Sequence, residues 1–158
     1  MFLRVFSFLL FLILVTSCNQ LSLSKGKNST VLDTIVDFSS VDTAPSFKVC
    51  DSIIVKDSKS ECFGKTLHQT VGVELVKYPF SVQDSISEMV YVDVLISARG
   101  KITLAAVSSS FVVKEQLPQL DSILRVVMEK IPNVYAAIKR GIPVASKYRL
   151  PIKIELKE

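Results

Sequence analysis

Apolar residues recur at one-turn spacing from about Ser60, where Phe63, Leu67, Val71, Leu75 and Tyr78 fall on one helical face and Pro79 stops the run. Gly64 and Gly72 weaken this helix, so it needs tertiary packing to hold it. The period then changes from helical to alternating over residues 90–96 and 102–106. Ala98-Arg99-Gly100-Lys101 lies between the two runs and predicts a hairpin turn, with Val90, Val92, Val94 and Ile96 on the inner face. A second helix is predicted over residues 118–130. Pro118 suits the first turn, Leu120, Ile123, Leu124, Val127 and Ile131 form one stripe, and Pro132 ends it. Residues 144–156 alternate again, with Tyr148, Leu150, Ile152, Ile154 and Leu156 on one side and Lys147, Arg149, Lys153 and Glu155 on the other. The order helix, strand, strand, helix, strand predicts an α+β domain in which two helices pack on one face of a small three-stranded antiparallel sheet.

The N-terminus follows another pattern. Residues 5–15 are apolar except for Ser7, Arg4 precedes them, and small polar residues follow. A bilayer span needs about 20 apolar residues, so residues 1–17 read as a secretory signal peptide. Leu14-Val15-Thr16-Ser17-Cys18 resembles the lipobox of bacterial lipoproteins, which implies that Cys18 becomes the lipidated first residue of the mature chain. Residues 18–46 are rich in Ser, Thr, Asn and Asp and read as a flexible linker with a reach of about 30 Å. The folded domain is then expected over residues 47–158.

Loss of residues 1–17 removes only Arg4 and lowers the formal charge from +4 to +3. A mildly basic chain without a clustered basic stripe gives no sign of nucleic-acid binding. With Cys18 lipidated, two cysteines are left, and an even number in an oxidising compartment predicts a Cys50–Cys62 disulfide. The competing reading is two inert thiols.

Candidate chemistry is sparse. His68 is the single histidine, flanked by Gln69 and Thr70, and neither a general base nor a metal ligand works without partners. No serine stands in a nucleophile-elbow context, and no glycine loop is built to cradle phosphate. The chain therefore reads as a non-enzyme, with no cofactor and no metal. Binding has better support, because the edge strand of a small sheet offers unpaired N–H and C=O groups to an added strand. Lys147, Arg149 and Lys153 suit an acidic peptide, and they equally suit protection of an edge against aggregation. Pro151 removes one donor from the last strand, which is tolerable at an edge.

Four pieces of sequence resemble the C-terminal domain of TonB, the periplasmic protein that engages outer-membrane receptors. They are Cys50-Asp51 with Glu61-Cys62-Phe63, then Lys77-Tyr78-Pro79, then the strand pair around Gly100-Lys101-Ile102. The fourth is Arg140-Gly141-Ile142-Pro143-Val144 followed by Tyr148-Arg149-Leu150-Pro151-Ile152. The resemblance covers about two-thirds of the chain. It implies that the last strand grips a receptor's N-terminal peptide as an added strand, with Val144, Lys147, Tyr148, Arg149, Ile152 and Lys153 as the contact residues. Energised members of the family carry a membrane helix and a long Pro-rich spacer, whereas the linker here holds Pro45 alone.

The expectation is thus a lipid-anchored module at the periplasmic face of the cell envelope. Its anchor lies in the outer membrane, and its partner is an outer-membrane transport receptor or another envelope protein. The alternative is an energy transducer whose N-terminal anchor stays uncleaved. Pairing of two copies through the sheet edge is a further option.

Overall fold

The computed structural model describes residues 35–37 and 40–157. The expected signal peptide, Cys18 and most of the linker lie outside them. The fold is α+β.

Its central feature is an antiparallel ladder between β2 (Ile86–Ile96) and β6 (Ser146–Leu156), unbroken from Ile86↔Leu156 to Ile96↔Ser146. β3 (Ile102–Ser108) pairs with the other side of β2, with one register shift between Asp93 and Val94. β1 (Val36–Asp37) lies parallel to the first two residues of β6, giving the order β1-β6-β2-β3. β4 (Ala137–Lys139) and β5 (Ile142–Val144) form a separate two-stranded sheet closed by Arg140 and Gly141, both at positive φ. A two-residue loop with that backbone matches the twist of a hairpin.

Period-2 alternation builds the core. Val90, Val92, Val94 and Ile96 of β2 and Leu150 of β6 point to the inner face and are buried. They meet Phe63, Leu67 and Val71 of α1 (Lys56–Leu75) and Leu124, Val127 and Met128 of α3 (Leu120–Lys130). Each such side chain contributes about 1.5–3 kcal/mol when fully removed from water. Phe63 also stacks on Phe47 and meets Tyr148 edge-on, with both ring pairs 5.4 Å apart.

Gly100 locks the hairpin to the rest of the fold. It sits at φ 78°, and a Cβ there would lie 1.7 Å from the Val134 carbonyl oxygen. That approach lets Val134 N–H donate to the Gly100 carbonyl at 2.9 Å. Only glycine permits both.

The structure revises several expectations. α1 begins at Lys56, before the expected Ser60, and α3 begins at Leu120, leaving Pro118 in the preceding turn. A short helix α2 (Phe111–Gln116) was not foreseen; Ser110 caps it by accepting from Val113 N–H at 3.2 Å.

The linker was expected to run to residue 46, yet residues 40–46 belong to the domain. Asp42 and Thr43 N–H donate to the Ile138 carbonyl, and Ser46 exchanges both backbone hydrogen bonds with Tyr135. Val41 and Ala44 are buried beneath them. The polar composition concealed these two apolar residues and the backbone pairing around them.

Val144 was expected in the last strand but pairs with Ala137 in the small sheet, because the chain breaks step at Ala145. It is not part of the β6 edge.

Cys50 and Cys62 are joined by a disulfide with Cα atoms 5.9 Å apart, tying the 3-10 turn Lys48–Cys50 to α1. The closed loop is short, so the loss of unfolded-state entropy is worth about 3 kcal/mol. Urea unfolding with and without reductant should show that difference; equal midpoints would contradict it.

Candidate functional site

The outer edge of β6 is the candidate site. Val36 N–H donates to the Ala145 carbonyl at 2.9 Å, which places the backbone groups of Ala145 on the outer side. Alternation along the strand then turns those of Arg149, Pro151, Lys153 and Glu155 the same way. β1 covers this side only at Ser146 and Lys147. From Tyr148 to Leu156, no strand among the described residues pairs with it. Pro151 lies on the outward register, so its missing N–H costs the ladder with β2 nothing.

α1 runs beside this edge, and between them lies a trough. One part, about 410 Å³, is lined by Val71, Gly72 and Leu75 of α1 and by Ile152, Ile154 and Leu156 of β6. The other, about 500 Å³, is lined by Gly64, Tyr148 and Pro151 and is more polar, with Glu61, Lys65 and Gln69 at its rim. His68 borders both parts. Ile152, Ile154 and Leu156 face inward yet are only half-buried, because among the described residues nothing stands beyond this part of β6 to cover them. An unpaired strand edge bordered by an apolar trough can accept an extended peptide, with main-chain bonds supplying affinity and the trough reading alternate side chains.

Charge is organised in two clusters, one on the open face of the sheet and one near the C-terminus of α1. On the open face of the sheet, Arg149 Nε donates to Asp93 Oδ1 at 2.7 Å and Arg149 Nη2 donates to Oδ2 at 3.1 Å. Lys147 Nζ reaches the same Oδ2 at 3.0 Å. Asp93 is only 5% exposed, and the hydrogen bond from Arg149 is the chief reason its pKa falls from 3.8 to about 2, against the opposing pull of burial. Near the C-terminus of α1, Glu74 pairs with Lys77 and with Lys130, whose Nζ also donates to Tyr78 Oη at 3.1 Å. The hydrogen bond from Lys77 holds the Glu74 carboxyl below its usual range.

Five of the six expected contact residues come together on β6, but their roles divide. Lys147 and Arg149 carry the ion cluster on the open face, Tyr148 and Ile152 face α1, and Lys153 pairs with Glu155 along the free edge. The α1 wall was not foreseen as part of the site. Its one sequence signal was the pair Gly64 and Gly72 inside an otherwise regular helical face.

The chain matches no family model, no curated protein and no solved structure. Among the described residues no group of His, Cys, Asp and Glu is arranged to hold a metal ion, and no helix is long and apolar enough to cross a membrane.

Because the folded-state pKa of Asp93 is depressed, its contribution is complete above the unfolded value near 4 and disappears as pH falls toward 2. Arg149 and Lys147 are about half exposed, which reduces the worth of the cluster to about 1–2 kcal/mol. Asp93→Asn should lose that amount at pH 7 in urea unfolding, and the difference should vanish near pH 2. A deficit unchanged at low pH would contradict the assignment.

Proposed function

We propose that this chain is a non-catalytic, lipid-anchored protein-binding module of the TonB C-terminal type. It acts at the periplasmic face of the outer membrane and captures an extended segment of a transport receptor, or of another envelope protein, as a strand added to β6. The observation that carries this reading is the free outer edge of β6 beside an apolar trough. The order α1, β2, β3, α3, β6, with the two-residue β1 alone beyond the last strand among the described residues, supports the family resemblance. The gripping segment is narrower than the sequence implied and starts at Tyr148, since β1 occupies the edge before it.

Tethering gives the capture its logic. A module held near one membrane by a lipid meets a membrane-embedded receptor at high effective concentration, so modest affinity suffices. Nothing in the linker sequence resembles the Pro-rich spacer of an energised transducer, which favours binding over pulling.

A photoreactive side chain at Lys153, exposed on the free edge, tests the reading in intact cells. It should give a covalent adduct with an envelope protein, while the same group at Glu129 on α3 should give none. No adduct, or an adduct only with a second copy of the chain, would overturn the reading. Cys18→Ala should release the protein from the membrane fraction; retention there would refute the lipid anchor and favour an uncleaved N-terminus.

A further inference from the structure

The two glycines of α1 that border the trough differ in what lies opposite them. At Gly64 the room for a side chain is already taken, since a Cβ there would stand 2.5 Å from Tyr148 Oη. At Gly72 nothing among the described residues lies within 4 Å of a Cβ position, and the residue lines the 410 Å³ apolar cavity. Glycine inside a helix is less favourable than alanine, because it leaves more backbone freedom to lose on folding. Packing within the described residues offers no reason for Gly72. An occupant does.

We propose that the gap at Gly72 receives one large apolar side chain, aromatic or long aliphatic, from the centre of a peptide strand laid along β6, and that acidic residues lie toward both ends of that peptide. This deepens the reading of β6 as a strand acceptor and rests on it. Tyr148 over Gly64 displays the required dimension, for it spans from the sheet to the helix backbone with an aromatic ring. The side chain at Gly72 makes the same crossing from the added strand, over a floor of Ile152 and Ile154.

Charge defines the flanks. At one end Lys147 and Arg149 share the single carboxylate of Asp93, and at the other Lys77 and Lys130 share that of Glu74. Between them, Lys153 with Glu155 and Lys65 with Glu61 are balanced pairs. Each cluster sets two cations against one carboxylate, the first on the open face beside the start of the free edge and the second on the α1 side near the other end of β6, so an added strand meets them with acidic residues toward its two ends. The arrangement is complementary to a segment with acidic ends and an apolar middle.

The probes are nine-residue synthetic peptides with Asp at both ends, alternating Thr and Val between, and Ala, Val, Leu or Phe at the centre. Fluorescence anisotropy measures their binding to the full chain in detergent. The wild type should bind the Leu and Phe peptides about tenfold more tightly than the Ala peptide, the scale of a small size change in an apolar pocket. Gly72→Ala should raise Tm by about 4 °C and remove most of that preference while the Ala peptide still binds. Equal binding of all four by the wild type, a preference that survives Gly72→Ala, or a lowered Tm would overturn the assignment of the gap and leave β6 as an acceptor intact. Failure of every peptide to bind the wild type would overturn both.

Discussion

The ladder between β2 and β6 is the constraint on which the rest of this structure depends. Eleven residue pairs fix β6 in register, and a slip of one position would turn Leu150 outward and Arg149 into the core. Register is therefore set by burial. The consequence is geometric: with one side of β6 committed to β2, the other side of its backbone faces away from the sheet. β1 satisfies that side for only two residues. What begins as a packing requirement thus leaves the free edge on which the proposed function rests.

In the proposed function, the helix beside the edge turns an exposed strand into a selective site. A bare edge is a hazard, since it pairs with any available strand. Here α1 overhangs it, and the cations of Lys147, Arg149 and Lys153 line its open-face side. The protective and recruiting readings of these residues are compatible, because charge that repels one strand selects another of opposite sign. Asp93 matters for the same reason: it holds Arg149 against the sheet face and off the free backbone groups.

Much of the fold was legible in the sequence, because its main elements carry strong periodicity. Val90, Val92, Val94 and Ile96 keep period two, and Phe63, Leu67 and Val71 keep one-turn spacing, so their faces could be assigned without knowledge of the partner. What escaped was set by long-range pairing. Residues 40–46 look like linker because their order comes from Ile138 and Tyr135, nearly a hundred positions away. Val144 looks like the start of β6 because the break at Ala145 leaves no mark in the hydrophobic pattern. The trough escaped for a related reason. Alternation tells which way Ile152 and Ile154 point, but not that the layer above them stops short. The glycines of α1 hinted at it without saying what would fill the space.

Amide hydrogen exchange tests the central claim most directly. In the isolated full chain, the amides of Arg149, Lys153 and Glu155 should exchange rapidly, while those of Tyr148, Leu150 and Ile152, bonded to β2, stay protected. In complex with the envelope protein crosslinked through Lys153, the first three should become protected as well. Slow exchange of Arg149, Lys153 and Glu155 in the isolated chain, or unchanged fast exchange in the complex, would contradict the account.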